Sequence, residues 1–291
     1  MTPIAARLAL QTPTVFVSDA TFFVMADYNI NFKRLSPSVK KTAMQLESTA
    51  IRSAIIATFP SVWAQSSALE NFDADRATTF QIPWGANLLA RNPTPTEDRP
   101  KQPWRLLFVG VDWLGKGGDI LLRAFELLID RGCEVELDVV GCAPSDPPPT
   151  IAGVTFHGFI SKNTPEGRER LEDLFRRAHL FVLPTRFDAF PTVIAESASY
   201  GLPIISYRTG GLPSNVLHEK TGTLIEPDQG AEAFANAIVD LMSSRERYNA
   251  MATAAFRFSE DSLNWETWAS QMVLSITRRL EPQDMTVSPG P

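Results

Sequence analysis

Phe187-Asp188-Ala189-Phe190-Pro191-Thr192-Val193-Ile194-Ala195-Glu196 decides how this chain of 291 residues folds. Its two carboxylates stand eight positions apart, and Pro191 between them suits the first turn of a helix, where a missing N–H is no loss. The apolar run from His179 to Leu183 leads in, and Gly201-Leu202-Pro203 followed by Ile204-Ile205-Ser206 leads out. The pattern predicts strand, loop, helix and strand, the repeating unit of a parallel sheet. A helix that starts at the carboxyl end of a strand points unpaired N–H groups outward, which suits a phosphate. Glu196, two turns along, is placed to reach a sugar hydroxyl beyond it. An ordinary strand–helix–strand unit with solvated charges fits the same spacing, and spacing alone leaves both readings open.

Working outward, strands and helices alternate on both sides. Downstream of residue 103 the expected strands are Arg105 to Gly110, Val135 to Gly141, Val154 to His157, and one ending at Leu224-Ile225. Helical patterns cover Gly118 to Arg131, Glu166 to Ala178, Ala231 to Ser243, Arg245 to Phe258 and Asn264 to Leu280. Upstream, Thr14 to Ser18, Ala54 to Phe59 and Thr78 to Pro83 read as strands, with helices over residues 38–53 and 60–71. Between the halves, residues 91–103 carry four prolines and no periodicity, the signature of a linker. The expected organisation is a first unit over 1–90, a linker over 91–103, a second unit over 104–262, a helix over 263–280 and a tail over 281–291. The fold class is α/β with largely parallel, doubly wound sheets.

A net charge of −6 without a basic cluster gives a nucleic-acid partner no electrostatic footprint. Cys133 and Cys142 match no zinc spacing and imply no disulfide framework, so a cytoplasmic setting is expected. No apolar run has the length of a bilayer span, and the N-terminus lacks an apolar signal segment. A peripheral membrane contact stays open.

Other motifs qualify the picture. Gly110-Val111-Asp112-Trp113-Leu114-Gly115-Lys116 has the spacing of a P-loop after a strand and before a helix. Gly117, however, stands where a hydroxyl residue would hold magnesium, and Asp138 lies inside its strand rather than at its end. A looser phosphate-facing loop carrying Lys116, and an exposed lysine, are the remaining readings. Asp73-Ala74-Asp75 reads as a solvated loop. His157, His179 and His218 are not spaced as metal ligands, and the first two read as half-buried structural residues at strand edges. Gly210-Gly211 follows the strand at Ile204 to Ser206, where bare backbone permits a close approach to a ligand or merely a tight turn.

Taken in order, these motifs resemble those of the retaining glycosyltransferases of family 4 (glycosyl transferases group 1), whose GT-B fold faces two Rossmann-like domains across a cleft. The resemblance runs from Thr14 to about Ile276 and rests on Phe108-Val109-Gly110 through Lys116-Gly117, Asp188 to Glu196, Gly201-Leu202-Pro203, Thr209-Gly210-Gly211-Leu212-Pro213, Thr221-Gly222-Thr223-Leu224-Ile225 and Ile82-Pro83-Trp84-Gly85-Ala86-Asn87. It implies a metal-independent hexosyltransferase that moves a sugar from a UDP-, GDP- or ADP-sugar to a glycan, lipid or small-molecule acceptor and keeps the anomeric configuration. No further cofactor is implied. Lys116 would sit beside the donor diphosphate, with Gly110 in the same loop. Backbone amides near Phe190, Pro191 and Thr192 would bind a phosphate. Glu196 would take both ribose hydroxyls, Asp188 would hold a hydroxyl of the transferred sugar, and Gly210 and Gly211 would line the donor pocket. The helix from Asn264 would cross back onto the first domain.

The sequence departs from the family in three places. Val111-Asp112 stands where an arginine usually follows the phosphate-loop glycine, so one of two expected cations is missing. The first acid is Asp188 rather than glutamate. The first domain starts at what looks like its middle, with Ser18-Asp19 in place of a His-Asp pair, so the acceptor side reads as N-terminally truncated. A partner could then supply the missing half. The competing readings are a donor-binding fragment with an incomplete acceptor site and, more distantly, a P-loop nucleotidase.

Overall fold

Strands composed only of apolar residues are buried on both faces, the condition of a parallel sheet covered by helices. Leu180–Leu183 (β7) meets that condition, and Ile204–Tyr207 (β8) is buried along its whole length too, its one small polar residue, Ser206, donating its hydroxyl to the Leu183 carbonyl at 2.5 Å. They lie in a sheet completed by Trp104–Val109 (β4), Val135–Val140 (β5), Val154–Phe156 (β6) and Gly222–Ile225 (β9). The computed structural model describes residues 2–28, 30–88 and 99–280 and orders this sheet β6-β5-β4-β7-β8-β9, with every pair parallel. Chain order reverses between β4 and β7, where Leu106 pairs with Leu180. Such a switch point opens a crevice at the carboxyl ends of the strands, the usual ligand position in open α/β sheets.

A second parallel sheet, β1-β2-β3, is formed by Val15–Val17, Ile56–Phe59 and Thr79–Gln81. Its core is small: Ile51, Ala57, Phe59, Ala64, Ala68 and Phe72. Helices Thr2–Ala9 (α1), Phe22–Tyr28 (α2), Ile30–Lys33 (α3), Pro37–Ser53 (α4) and Val62–Asn71 (α5) belong to this half. Gly118–Asp130 (α6), Pro165–Arg177 (α7), Thr192–Ser199 (α8), Ala231–Ser243 (α9), Arg245–Asp261 (α10) and Trp265–Leu280 (α11) belong to the other, and α11 turns back against β2. There the Trp265 indole N–H donates to the Asn87 side chain at 3.2 Å.

Caps fix several helix starts. The Ser36, Ser61 and Thr164 hydroxyls accept the N–H of Val39, Ala64 and Gly167, and Pro37 and Pro165 occupy first-turn positions. Some expected boundaries move. Pro191 is the cap of α8 and not in its first turn, and the helix begins at Thr192. β3 ends at Gln81, before Pro83, which has no N–H for a ladder. α10 continues to Asp261. His179 is fully buried rather than half-buried, because its ring bridges two backbones: Nδ1 accepts the Arg105 N–H at 2.9 Å and Nε2 donates to the Pro100 carbonyl at 2.8 Å. Helices α1, α2 and α3 have no counterpart in the sequence reading. Residues 91–98 of the expected linker and the expected tail 281–291 lie outside the described residues.

Candidate functional site

Two loops meet at the switch point, one after β4 and one after β7. The first, residues 110–117, is shaped by its own polar groups. The Asp112 carboxylate accepts the Gly115 N–H at 3.0 Å, and its carbonyl accepts the Lys116 N–H at 2.9 Å. Asp112, the second residue of the Val111-Asp112 pair that stands where the family usually carries an arginine, thus holds the turn that aims Lys116. Gly117 closes the loop with φ +75°, and a Cβ there would stand 2.0 Å from the Pro184 carbonyl oxygen. The position where a P-loop needs a hydroxyl residue therefore admits only glycine, which removes the nucleotidase reading. Gly110 lies against the Lys116 stem, where a Cβ would come within 3.1 Å of Cγ.

The second loop presents Asp188. Its side chain is 13% exposed and forms an ion pair with the Lys116 ammonium. Burial pushes the Asp188 carboxyl above the usual range, and Lys116 and the Phe190 backbone pull it back in part. The Phe190 amide, expected at a phosphate, is thus engaged with Asp188 in this structure. Arg186 ties the two loops together: its N–H donates to the Gly115 carbonyl at 2.9 Å and its guanidinium grips Asp119 with two bonds of 2.8 and 2.7 Å.

Gly210 and Gly211 pack where the sequence expects them, after β8, for a more specific reason than a ligand alone. Added Cβ atoms would lie 2.1 Å from the Asp188 carbonyl oxygen and 1.7 Å from that of Ala189. Bare backbone here lets the two loops touch. Tyr28 reaches the same point from α2. Its hydroxyl accepts the Asp188 N–H at 2.8 Å and shares a hydrogen bond of 2.9 Å with the Thr209 hydroxyl.

Glu196 lies on α8 and is wholly buried. The Lys162 ammonium holds both of its oxygens, at 2.6 and 2.5 Å, and the Asn87 backbone adds a hydrogen bond. Burial raises its carboxyl above the ordinary value, and Lys162 opposes that rise. An open carboxylate expected for a ribose is therefore covered. Beside it a cavity of about 330 Å³ opens at the ends of β4 and β5, lined among others by Gly110, Gly141, Phe159 and Lys162. Gly141, at φ +96°, stands where a Cβ would meet the Gly110 carbonyl oxygen at 2.3 Å, so the two strand ends close together as the cavity's floor.

The structure thus brings Gly110, Lys116, Asp188, Phe190, Pro191, Thr192, Glu196, Gly210 and Gly211 to one edge of the larger sheet. Sequence reading missed Lys162, Arg186 and Tyr28. Lys162 had one signal: Ser161-Lys162-Asn163 follows a short strand on the carboxyl, ligand-facing edge of the sheet.

Residues 103–244 match the family described as Glycosyl transferases group 1. Among curated proteins, the chain is 30% identical over 175 residues to the D-inositol 3-phosphate glycosyltransferase of Streptomyces griseus subsp. griseus, covering 56% of this chain and 37% of that protein. It is 28% identical over 182 residues to a GDP-mannose-dependent alpha-(1-6)-phosphatidylinositol monomannoside mannosyltransferase of Mycolicibacterium smegmatis, covering 57% of this chain and 46% of that protein. The aligned part spans less than half the length of either relative. Among solved structures, sucrose-phosphate synthase from Thermosynechococcus elongatus superposes with a TM-score of 0.75 at 21% identity, over 95% of this chain and 71% of that one. Anabaena HepE in complex with UDP and glucose gives 0.69 at 17% identity, over 95% and 75%. The two sheets are those of the GT-B fold.

Proposed function

We propose, from the match of residues 103–244 to the group 1 glycosyl transferases, that the chain moves a hexose from a nucleotide-sugar donor to an acceptor with retention of anomeric configuration and without a metal ion. The observation that carries the reading is the pairing of Lys116 with Asp188 across the switch point, next to the buried Glu196 and a cavity of about 330 Å³. The base enters that cavity, the ribose hydroxyls turn toward Glu196, and the diphosphate lies between Lys116 and the start of α8, where the macrodipole is positive. Asp188 holds a hydroxyl of the sugar.

In the transfer, the bond between the sugar C1 and the diphosphate oxygen breaks and its electron pair leaves with the diphosphate. The acceptor hydroxyl bonds to C1 on the same face, and its proton ends on the departing diphosphate. Lys116 offsets the charge that builds there, the part a divalent cation plays elsewhere. The acceptor is a glycan, a lipid or a small molecule. Among the described residues no helix is long and apolar enough to cross a membrane.

Calorimetry with UDP, GDP and ADP tests the reading. One of the three binds, and Glu196→Ala weakens it at least tenfold. Release of sugar from the matching nucleotide sugar, with α-linked product from an α-linked donor, supports retention. If none of the three binds, the donor site is wrong.

A further inference from the structure

Glu196 presents a physical problem that its proposed role does not solve. A carboxylate wholly buried in protein favours its protonated form, yet a diol is bound best by an ionised carboxylate, which can accept two hydroxyl hydrogen bonds. The structure places one cation against it. The Lys162 ammonium contacts both oxygens, and its side chain is 34% exposed where that of Glu196 is 0%. Lys162 therefore stands between Glu196 and the cavity it helps to line. It comes from the loop after β6, a segment separate from the one that carries Glu196.

We propose that Lys162 is a movable counterion, a positioning residue that covers Glu196 and swings aside when a ribose diol takes its place. The proposal rests on the donor-site reading above. The two ammonium contacts occupy the oxygens a vicinal diol would use, so ligand and lysine exclude each other there. A lysine suits this exchange because its flexible stem keeps the charge nearby after the ammonium has moved. Among the described residues, the groups that face Glu196 are the Lys162 ammonium and the Asn87 N–H, and Tyr200, at the C-terminal cap of α8, is its titratable neighbour. Without Lys162, the Asn87 N–H is the one hydrogen-bond donor left to the buried charge among the described residues, and the carboxyl takes up a proton.

The test is titration calorimetry with whichever of UDP, GDP and ADP binds the wild type, at pH 6.5 and pH 9. Lys162→Met and Lys162→Gln both remove the charge and nearly keep the volume. Each is expected to bind at least tenfold more weakly than wild type at pH 6.5 and to recover most of that loss at pH 9. Lys162→Arg should stay within about threefold of wild type at both. In a Glu196→Gln background, Lys162→Met should add no further loss, since the lysine acts through that carboxylate. Circular dichroism confirms that each variant is folded. Wild-type affinity in the lysine variants at pH 6.5, or an equal loss in the Gln background, overturns the proposal. Failure of the wild type to bind any of the three nucleotides overturns the donor reading instead.

Discussion

The two sheets treat a buried carboxyl group in opposite ways. At the six-stranded sheet, Asp188 meets Lys116 and Glu196 meets Lys162. At the three-stranded sheet, Glu47 of α4 is 5% exposed and accepts the Phe22 N–H at 2.5 Å, while no cation faces it among the described residues. Burial lifts Glu47 to about 7, and Asp19 adds to the rise. A carboxyl of that kind can hold a proton at neutral pH and still anchor the start of α2 through one oxygen. Asp19 also raises Asp188, yet there Lys116 opposes the shift. Burial is common to both regions. A lysine opposite each acid of the larger sheet, opposing the rise that burial causes, separates Asp188 and Glu196 from Glu47, which fastens the start of α2 without one.

Removing that lysine is the strongest way to break the distinction. Lys116→Met leaves Asp188 buried without its cation and strips the leaving diphosphate of its counter-charge. Sugar transfer should fall by about 10²–10³-fold, roughly 3–4 kcal/mol of transition-state stabilisation. Nucleotide affinity, which also depends on Glu196 and the start of α8, should fall by less. Steady-state rates beside calorimetric Kd values measure the split. An unchanged rate would remove Lys116 from the chemistry.

The two regions should also respond to pH with opposite sign. His179, at the larger sheet, drops from 6.5 to about 4, chiefly through burial. Its folded state excludes the proton, so its contribution is complete above 6.5 and is lost as pH falls through 4. Glu47 runs the other way: its contribution is complete below 4.5 and is lost as pH rises through 7. Each shift corresponds to roughly 3 kcal/mol at its limit. Glu47→Gln keeps an oxygen for the Phe22 N–H and cannot ionise. It should match wild type near pH 5 and exceed it by about 2 kcal/mol at pH 8 in urea unfolding. For His179→Gln, the loss of wild-type stability between pH 6.5 and 4 should shrink. An advantage of Glu47→Gln that stays constant from pH 5 to 8 would show that ionisation is not the cause.

Much of the larger sheet was legible because its central strands are short, mostly apolar buried runs that alternate with amphipathic helices. The Asp188–Glu196 interval was legible for the same reason: one strand, one loop and one helix fix both acids locally. What escaped were partners delivered by distant segments. Lys162 lies 34 positions from Glu196, and Tyr28 lies 160 positions from Asp188, so no spacing rule connects them. The α2 segment, Phe-Phe-Val-Met-Ala-Asp-Tyr, is rich in residues that favour strands, and tertiary context makes it a helix. Gly210 and Gly211 announced a close approach, but only the structure shows that the approach is to the carbonyls of Asp188 and Ala189.

Tyr28 offers the finest cut, because through it the smaller sheet's half touches an acid of the larger one. Its ring packs on Trp63 and Phe187 at centroid distances of 5.2 and 6.0 Å, so Tyr28→Phe preserves the packing and deletes the hydroxyl alone. The Asp188 N–H then loses its acceptor and Thr209 its partner, a cost of about 1 kcal/mol. The change falls on the position of the Asp188 loop, while Glu196 and the cavity stay as they are. Transfer should slow by about tenfold or less, and nucleotide affinity should hold within about twofold. Equal losses in both would mean that Tyr28 supports the whole donor site, and the division of labour between the two halves would have to be redrawn around α2.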